Sequence, residues 1–238
     1  MGKDKLKRFA ENETFERMFQ PTLNELFNTS YKLKGLWGKK IFKNDNPIVL
    51  ELGCGRGEYT VEMARKYTNK NFIGIDIKGA RMWRGAKSAH DENLLNAAFL
   101  RIRVEFIISC FAKDEVSEIW ITFPDPQSKT QRTKKRLTSP NFLTKYRTFL
   151  HSDGLLHLKT DSRLLHEYTK KLLDENNLPI YVSSTDIYGE NTPNPELDIK
   201  THYEKQYLAQ GIPITYIQFN IDGEKPIKEP EQFDPELF

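Results

Sequence analysis

From Ile48 to Asn220 short apolar, β-branched runs alternate with stretches of helical period. Ile48–Leu52, Asn71–Asp76, Ala98–Ile102 and Glu118–Phe123 read as strands, the last stopped by Pro124-Asp125-Pro126. Gly154–Lys159, Ile180–Ile187 and Ile212–Asn220 continue the series. Between them, helices are expected over Glu58–Tyr67, Ala80–Glu92, Pro140–Leu150 and Ser162–Asn176, with shorter turns at Val104–Cys110 and Thr201–Leu208. The alternation predicts an α/β fold: one mostly parallel sheet of about seven strands with helices on both faces.

The ends read differently. Residues 1–47 form a basic arm followed by an accessory helical segment with Phe15, Phe19, Phe27 and Tyr31. Trp37–Pro47 reads as a polar link, residues 48–221 as the main domain, and residues 222–238 as a flexible tail carrying six acids.

Composition narrows the function. At 238 residues and 38% hydrophobic the chain can bury a substantial core. No apolar run approaches the ~20 residues that a membrane span needs. No apolar stretch follows the basic start, so a secretory leader is not expected. Two cysteines, Cys54 and Cys110, form no C-x-x-C pair, which favours a reduced, cytoplasmic setting and no metal site.

The first strand runs into Gly53-Cys-Gly55-Arg-Gly57 and then a helix, a turn suited to close approach by a ligand. Glu58 occupies the place of the third glycine of a dinucleotide fingerprint, and no Gly-Lys-Ser/Thr of a P-loop is present. A carboxylate at Glu51, before the turn, suits a cationic ligand better than a pyrophosphate. Asp76 ends the second strand, where a Rossmann-like site places the acid that accepts ribose hydroxyls. Either piece alone also fits a glycine turn in a cofactor-free α/β domain; together they favour an adenosine-type ligand.

The second cluster begins at Asp125, set between two prolines. By itself this is ordinary turn chemistry. Lys129, Arg132, Lys134, Lys135 and Arg136 then crowd into eight positions, and no acid occurs between Pro126 and Ser152. The run is either a solvated basic loop or the footprint of a polyanion laid beside a reactive acid.

The set Glu51-Leu-Gly-Cys-Gly55, Phe123-Pro-Asp-Pro126, Lys129 to Arg136, Lys159-Thr-Asp161 and Thr201-His-Tyr-Glu204 resembles the bacterial-type tRNA (guanine-N7-)-methyltransferase family. Members are class I S-adenosylmethionine-dependent methyltransferases. The resemblance implies cofactor contacts at Glu51, Gly53, Gly55, Asp76 and Asp125, with Asp125 also as the catalytic-position acid. It implies tRNA contacts at Lys129, Asp161, Thr201 and Glu204, to which Arg132, Lys134, Lys135 and Arg136 add phosphate contacts. It further implies guanine 46 of the tRNA variable loop as target, and action without a partner subunit, as monomer or homodimer. Two positions depart from the family pattern. Gln127 replaces an aromatic residue, and Arg103, kept in the expected cofactor set, stands where an acid commonly meets the adenine amino group. Two alternatives from other classes are a Rossmann-type RNA-binding protein without catalysis and a methyltransferase acting on another base or a small molecule. Without the resemblance, Thr201–Glu204 would be a plain amphipathic helix.

Overall fold

Residues 2–27, 30–190, 194–231 and 233–234 are described by the computed structural model of this chain. Two compact units emerge, Met1–Val116 and Ser117–Phe238. The fold is mixed α/β, with eight strands among the described residues where about seven were expected.

In the first unit the strands β1 (Met18–Phe19), β2 (Ile48–Leu52), β3 (Asn71–Asp76) and β4 (Ala97–Arg101) lie in the order β1-β4-β3-β2. All three pairings are parallel. Every residue of β2 is buried, as a strand covered on both faces requires. Each fully buried Leu or Ile contributes about 1.5–3 kcal/mol. The additional strand is β1, whose two residues are too few to show a period; they pair with Phe99 and Leu100.

The link at 37–47 is less polar in structure than in sequence. Trp37 and Phe42 are buried in a π-helical turn, Trp37–Phe42. The indole N–H of Trp37 donates to the Cys110 carbonyl at 2.9 Å, and its ring stacks on Phe111. Ahead of it lie helices α1 (Gly2–Asn12) and α2 (Leu23–Phe27). Helices α3 (Glu58–Lys66) and α4 (Gly79–Asp91) follow β2 and β3.

In the second unit β5 (Val116–Thr122), β6 (Leu150–Thr160), β7 (Ile180–Ser184) and β8 (Thr215–Phe219) lie in the order β5-β6-β8-β7. Strand β8 is antiparallel to both β6 and β7. Helix α5 (Pro140–Tyr146) stops short of the expected Leu150, because Leu150 already begins the eleven-residue β6. Helix α6 (Arg163–Glu175) starts where the Ser162 side chain accepts the Leu165 N–H, and α7 (His202–Ala209) where Thr201 and Glu204 form a capping box.

The described residues after β8 run beside α6. Asn176 and Lys228 exchange hydrogen bonds of 2.9 and 2.8 Å, and Ile227 is buried. The Arg147 guanidinium donates to the carbonyls of Ile221 and Lys225. Gln232 and residues 235–238 of the expected tail lie outside the described residues.

Candidate functional site

On the first unit, β2 leads into a turn that carries three left-handed glycines: Gly53 at φ 75°, Gly55 at φ 54° and Gly57 at φ 69°. Their surroundings separate their roles. A Cβ on Gly57 would meet the Phe99 ring at 2.4 Å and the Gly85 backbone at 3.2 Å, so this glycine lets α3 approach β4 and α4. A Cβ on Gly53 would meet nothing within 4 Å, and on Gly55 only the Gly53 carbonyl at 3.9 Å. The first two glycines therefore face open space with their backbone exposed to an incoming ligand.

Helix α3 has no side chain capping its start, because Gly57 sits at the N-cap. Glu51 fills that role from the strand: its Oε2 accepts the Thr60 N–H at 2.9 Å and the Thr60 hydroxyl as well. The carboxylate is thereby fixed at the helix N-terminus, 5% exposed. Asp76 ends β3 and braces the same turn, accepting the Gly55 N–H at 2.9 Å through Oδ2 and the Lys78 N–H at 2.7 Å through Oδ1. Two anchored carboxylates flank a glycine-rich turn that is open at Gly53 and Gly55. That donor set fits a ligand carrying an ammonium group and ribose hydroxyls, as S-adenosylmethionine does. Beside β4, Arg103 is exposed and ion-paired with its near neighbour Glu105 at 3.1 Å.

On the second unit, β5 ends in a glycine-free turn in which two residues, Phe123 and Gln127, both sit at φ 48°. Such positions are rare for large side chains and persist where the surroundings hold them. Phe123 N–H donates to the Lys159 carbonyl at 2.8 Å, and two residues past each stand Asp125 and Asp161. Asp125 is exposed, and its Oδ1 accepts the Gln127 N–H at 3.0 Å. Burial raises the Asp161 carboxyl above its ordinary value. Tyr207 of α7 stacks on Phe123 with ring centroids 6.0 Å apart. The Tyr207 phenol is raised first by burial and then by the Asp161 charge, which puts α7, Phe123 and Asp161 in one neighbourhood.

The expected tRNA contacts divide. Lys129, Arg132, Lys134 and Lys135 are exposed along the 3-10 turn Thr130–Lys135 and its edge. Arg136 is not: it is 0% exposed, its Nε donating to the Pro126 carbonyl at 3.1 Å. Glu204, also 0% exposed, is turned inward by its ion pair with Lys159 at 2.8 Å and its hydrogen bond from Tyr188 at 2.6 Å. Thr201 spends its hydroxyl on the Glu204 N–H. These three side chains are buried and held by internal partners, whereas the expected contacts Lys129, Arg132, Lys134 and Lys135 lie open to solvent. Sequence reading assigned no role to Thr60, nor to Lys159 within its Lys159-Thr-Asp161 motif. A helix start without Ser, Thr, Asp or Asn at the cap, and a lysine inside an apolar strand, were the available signals. Among the described residues no group of three or more His, Cys, Asp or Glu is arranged to hold a metal, and no helix is long and apolar enough to cross a membrane.

Comparison with known proteins agrees with this chemistry. Residues 45–217 match a family model described as "Putative methyltransferase". The tRNA (guanine-N(7)-)-methyltransferase of Christiangramia forsetii (strain DSM 17595 / CGMCC 1.15422 / KT0803) is 57% identical over 92% of this chain and 99% of its own. The protein of the same name from Bacteroides fragilis (strain YCH46) is 48% identical over 97% of this chain and 91% of its own. Among solved structures, the 16S rRNA methyltransferase KamB has a TM-score of 0.60 at 12% identity, over 78% of this chain and 92% of that one. An "Antibiotic Related Methyltransferase" has a TM-score of 0.57 at 17% identity, over the same shares of both chains, 78% and 92%. These structures share the fold of class I methyltransferases.

Proposed function

The chain belongs to the tRNA (guanine-N(7)-)-methyltransferase family, and from that premise we propose its reaction: transfer of a methyl group from S-adenosylmethionine to N7 of guanine 46 in tRNA. The observation that carries the reading is the open Gly53–Gly55 turn braced by two carboxylates, Glu51 and Asp76, each locked by backbone N–H groups. When bound, S-adenosylmethionine supplies a sulfonium-activated methyl group.

Guanine N7 carries a lone pair and no proton, so the protein needs no general base. Its tasks are to orient the ring, exclude competing acceptors and meet the positive charge that develops on guanine. Glu51 would hold the ammonium end of the cofactor and Asp76 its ribose. Asp125 accepts hydrogen bonds from the N1–H/N2–H edge of guanine and offsets the growing charge, and Asp161 shares that task. Lys129, Arg132, Lys134 and Lys135 hold phosphates and set the register without reading sequence. With tRNA as substrate, the enzyme works in the cytoplasm and needs no partner subunit.

The target position is tested by methylating an unmodified tRNA transcript and cleaving chemically at N7-methylguanine. Cleavage at guanine 46 is expected, and its loss in a transcript with adenine there. Cleavage elsewhere contradicts the assignment.

A further inference from the structure

Arg136 is the last cation of the basic run, yet it has no solvent exposure. Burying a guanidinium is costly, and a leucine of similar bulk would serve packing alone at least as well. What the arginine contributes is visible in its partners. Nε donates to the Pro126 carbonyl at 3.1 Å and an Nη to the Gln127 carbonyl at 3.3 Å. The guanidinium carbon lies 4.2 Å from the centre of the Tyr168 ring and 5.7 Å from that of Phe233. Tyr168 in turn donates to Glu229 at 2.6 Å and meets Phe233 edge-on at 5.4 Å. The two carbonyls it grips belong to the residues just after Asp125, within the turn whose ends, Phe123 and Gln127, are both left-handed.

We propose that Arg136 is a positioning residue that clamps the Phe123–Gln127 turn and thereby aims Asp125, with the C-terminal residues Glu229 and Phe233 as the outer half of the clamp. A turn with two left-handed non-glycine residues relaxes unless its carbonyls are held from behind. A planar fork whose cationic carbon also lies over a tyrosine ring holds them in a fixed direction; an ammonium on a flexible stem cannot do both. Glu229 and Phe233 thus become part of the reaction's geometry through Tyr168 and Arg136. Arg136 acts on rate through Asp125, whereas its exposed neighbours act on binding.

The inference rests on Asp125 as the catalytic-position acid, so the test has one readout independent of activity. Arg136→Lys, Glu229→Gln and Phe233→Ala are made in the full chain. Amide hydrogen exchange at Gln127, whose N–H is held by Asp125, and steady-state kinetics with unmodified tRNA are then measured on each. Expected are at least tenfold faster exchange at Gln127 and a kcat lowered about tenfold or more in Arg136→Lys. The tRNA KM stays within about twofold and the salt dependence of binding is unchanged. The tail variants, which perturb the fold least, show the same signs with smaller size. Unchanged Gln127 exchange in all three variants overturns the clamp, as does a raised KM with shallower salt dependence at unchanged kcat. If the wild-type protein makes no N7-methylguanosine, the functional reading fails, and Gln127 exchange still decides the clamp.

Discussion

Lys159 Nζ lies 2.8 Å from Glu204 Oε1, and neither side chain has any solvent exposure. The ammonium completes its shell with the carbonyls of Leu197 and Ile199 at 2.9 and 3.0 Å, while Tyr188 donates to the carboxylate at 2.6 Å. Burial pulls the Lys159 ammonium below its ordinary value, and Glu204 pulls it back up. The pair pins α7 onto β6 beside Asp161. Removing one partner strands a buried charge, so Lys159→Met is expected to destabilise by about 3–5 kcal/mol. Lys159→Met with Glu204→Gln should recover a large part of that loss. Urea unfolding of the single and double variants measures it; equal losses in both would refute the coupling.

The glycine turn predicts a second separation, between Gly53 and Gly57. Both have positive φ, so alanine at either costs about 1–2 kcal/mol in backbone strain. Gly57→Ala adds a collision with Phe99 and should lose more stability than Gly53→Ala. Gly53→Ala instead places its methyl in open space on the ligand side, and should weaken S-adenosylmethionine binding at least tenfold while the fold persists. Thermal melts and calorimetric titration of both variants decide the matter.

These two glycines show how far the sequence could be read. Their spacing after an apolar strand located the turn, and Asp76 at the end of β3 followed from the same periodicity. Spacing cannot tell a glycine that admits a ligand from one that admits Phe99, because that depends on what packs opposite. The basic run was legible as charge density, but Arg136 had turned inward, and only its partners Tyr168 and Phe233, far along the chain, reveal why. Glu204 was hidden in the same way by Lys159. Side-chain direction at the end of a strand or a short turn is set by tertiary contacts that leave no periodic trace.

If Lys129, Arg132, Lys134 and Lys135 are the phosphate contacts, tRNA binding should weaken with salt along a log–log slope near −3. Each single change to glutamine should make the slope shallower by roughly 0.7–0.9. Arg147→Gln should leave it unchanged, because its guanidinium is spent on the Ile221 and Lys225 carbonyls. Filter binding across a salt series provides the slopes, and a wild-type slope near zero would refute the assignment.

His166 on α6 is 1% exposed, and burial pushes its pKa down to about 4, with Lys170 and Arg163 adding to the shift and Glu190 opposing it. The unfolded chain therefore binds a proton near pH 6.5 that the folded chain refuses until about 4. Stability that is full above pH 6.5 should drain away as pH falls through that window, by roughly 3 kcal/mol. Melts of wild type and His166→Gln between pH 7 and 4 test it: the variant should show a flatter acid limb whatever its stability at pH 7. Parallel curves would show that another group is responsible.

The central claim is tested most directly by incubating the purified protein with S-adenosylmethionine and unmodified bulk tRNA, then digesting the RNA and identifying the methylated nucleoside by mass. The account predicts N7-methylguanosine from the wild type and at least a hundredfold less from Asp125→Ala, with cofactor binding retained at the Glu51 and Asp76 turn. A different methylated nucleoside, or N7-methylguanosine undiminished in Asp125→Ala, would contradict it.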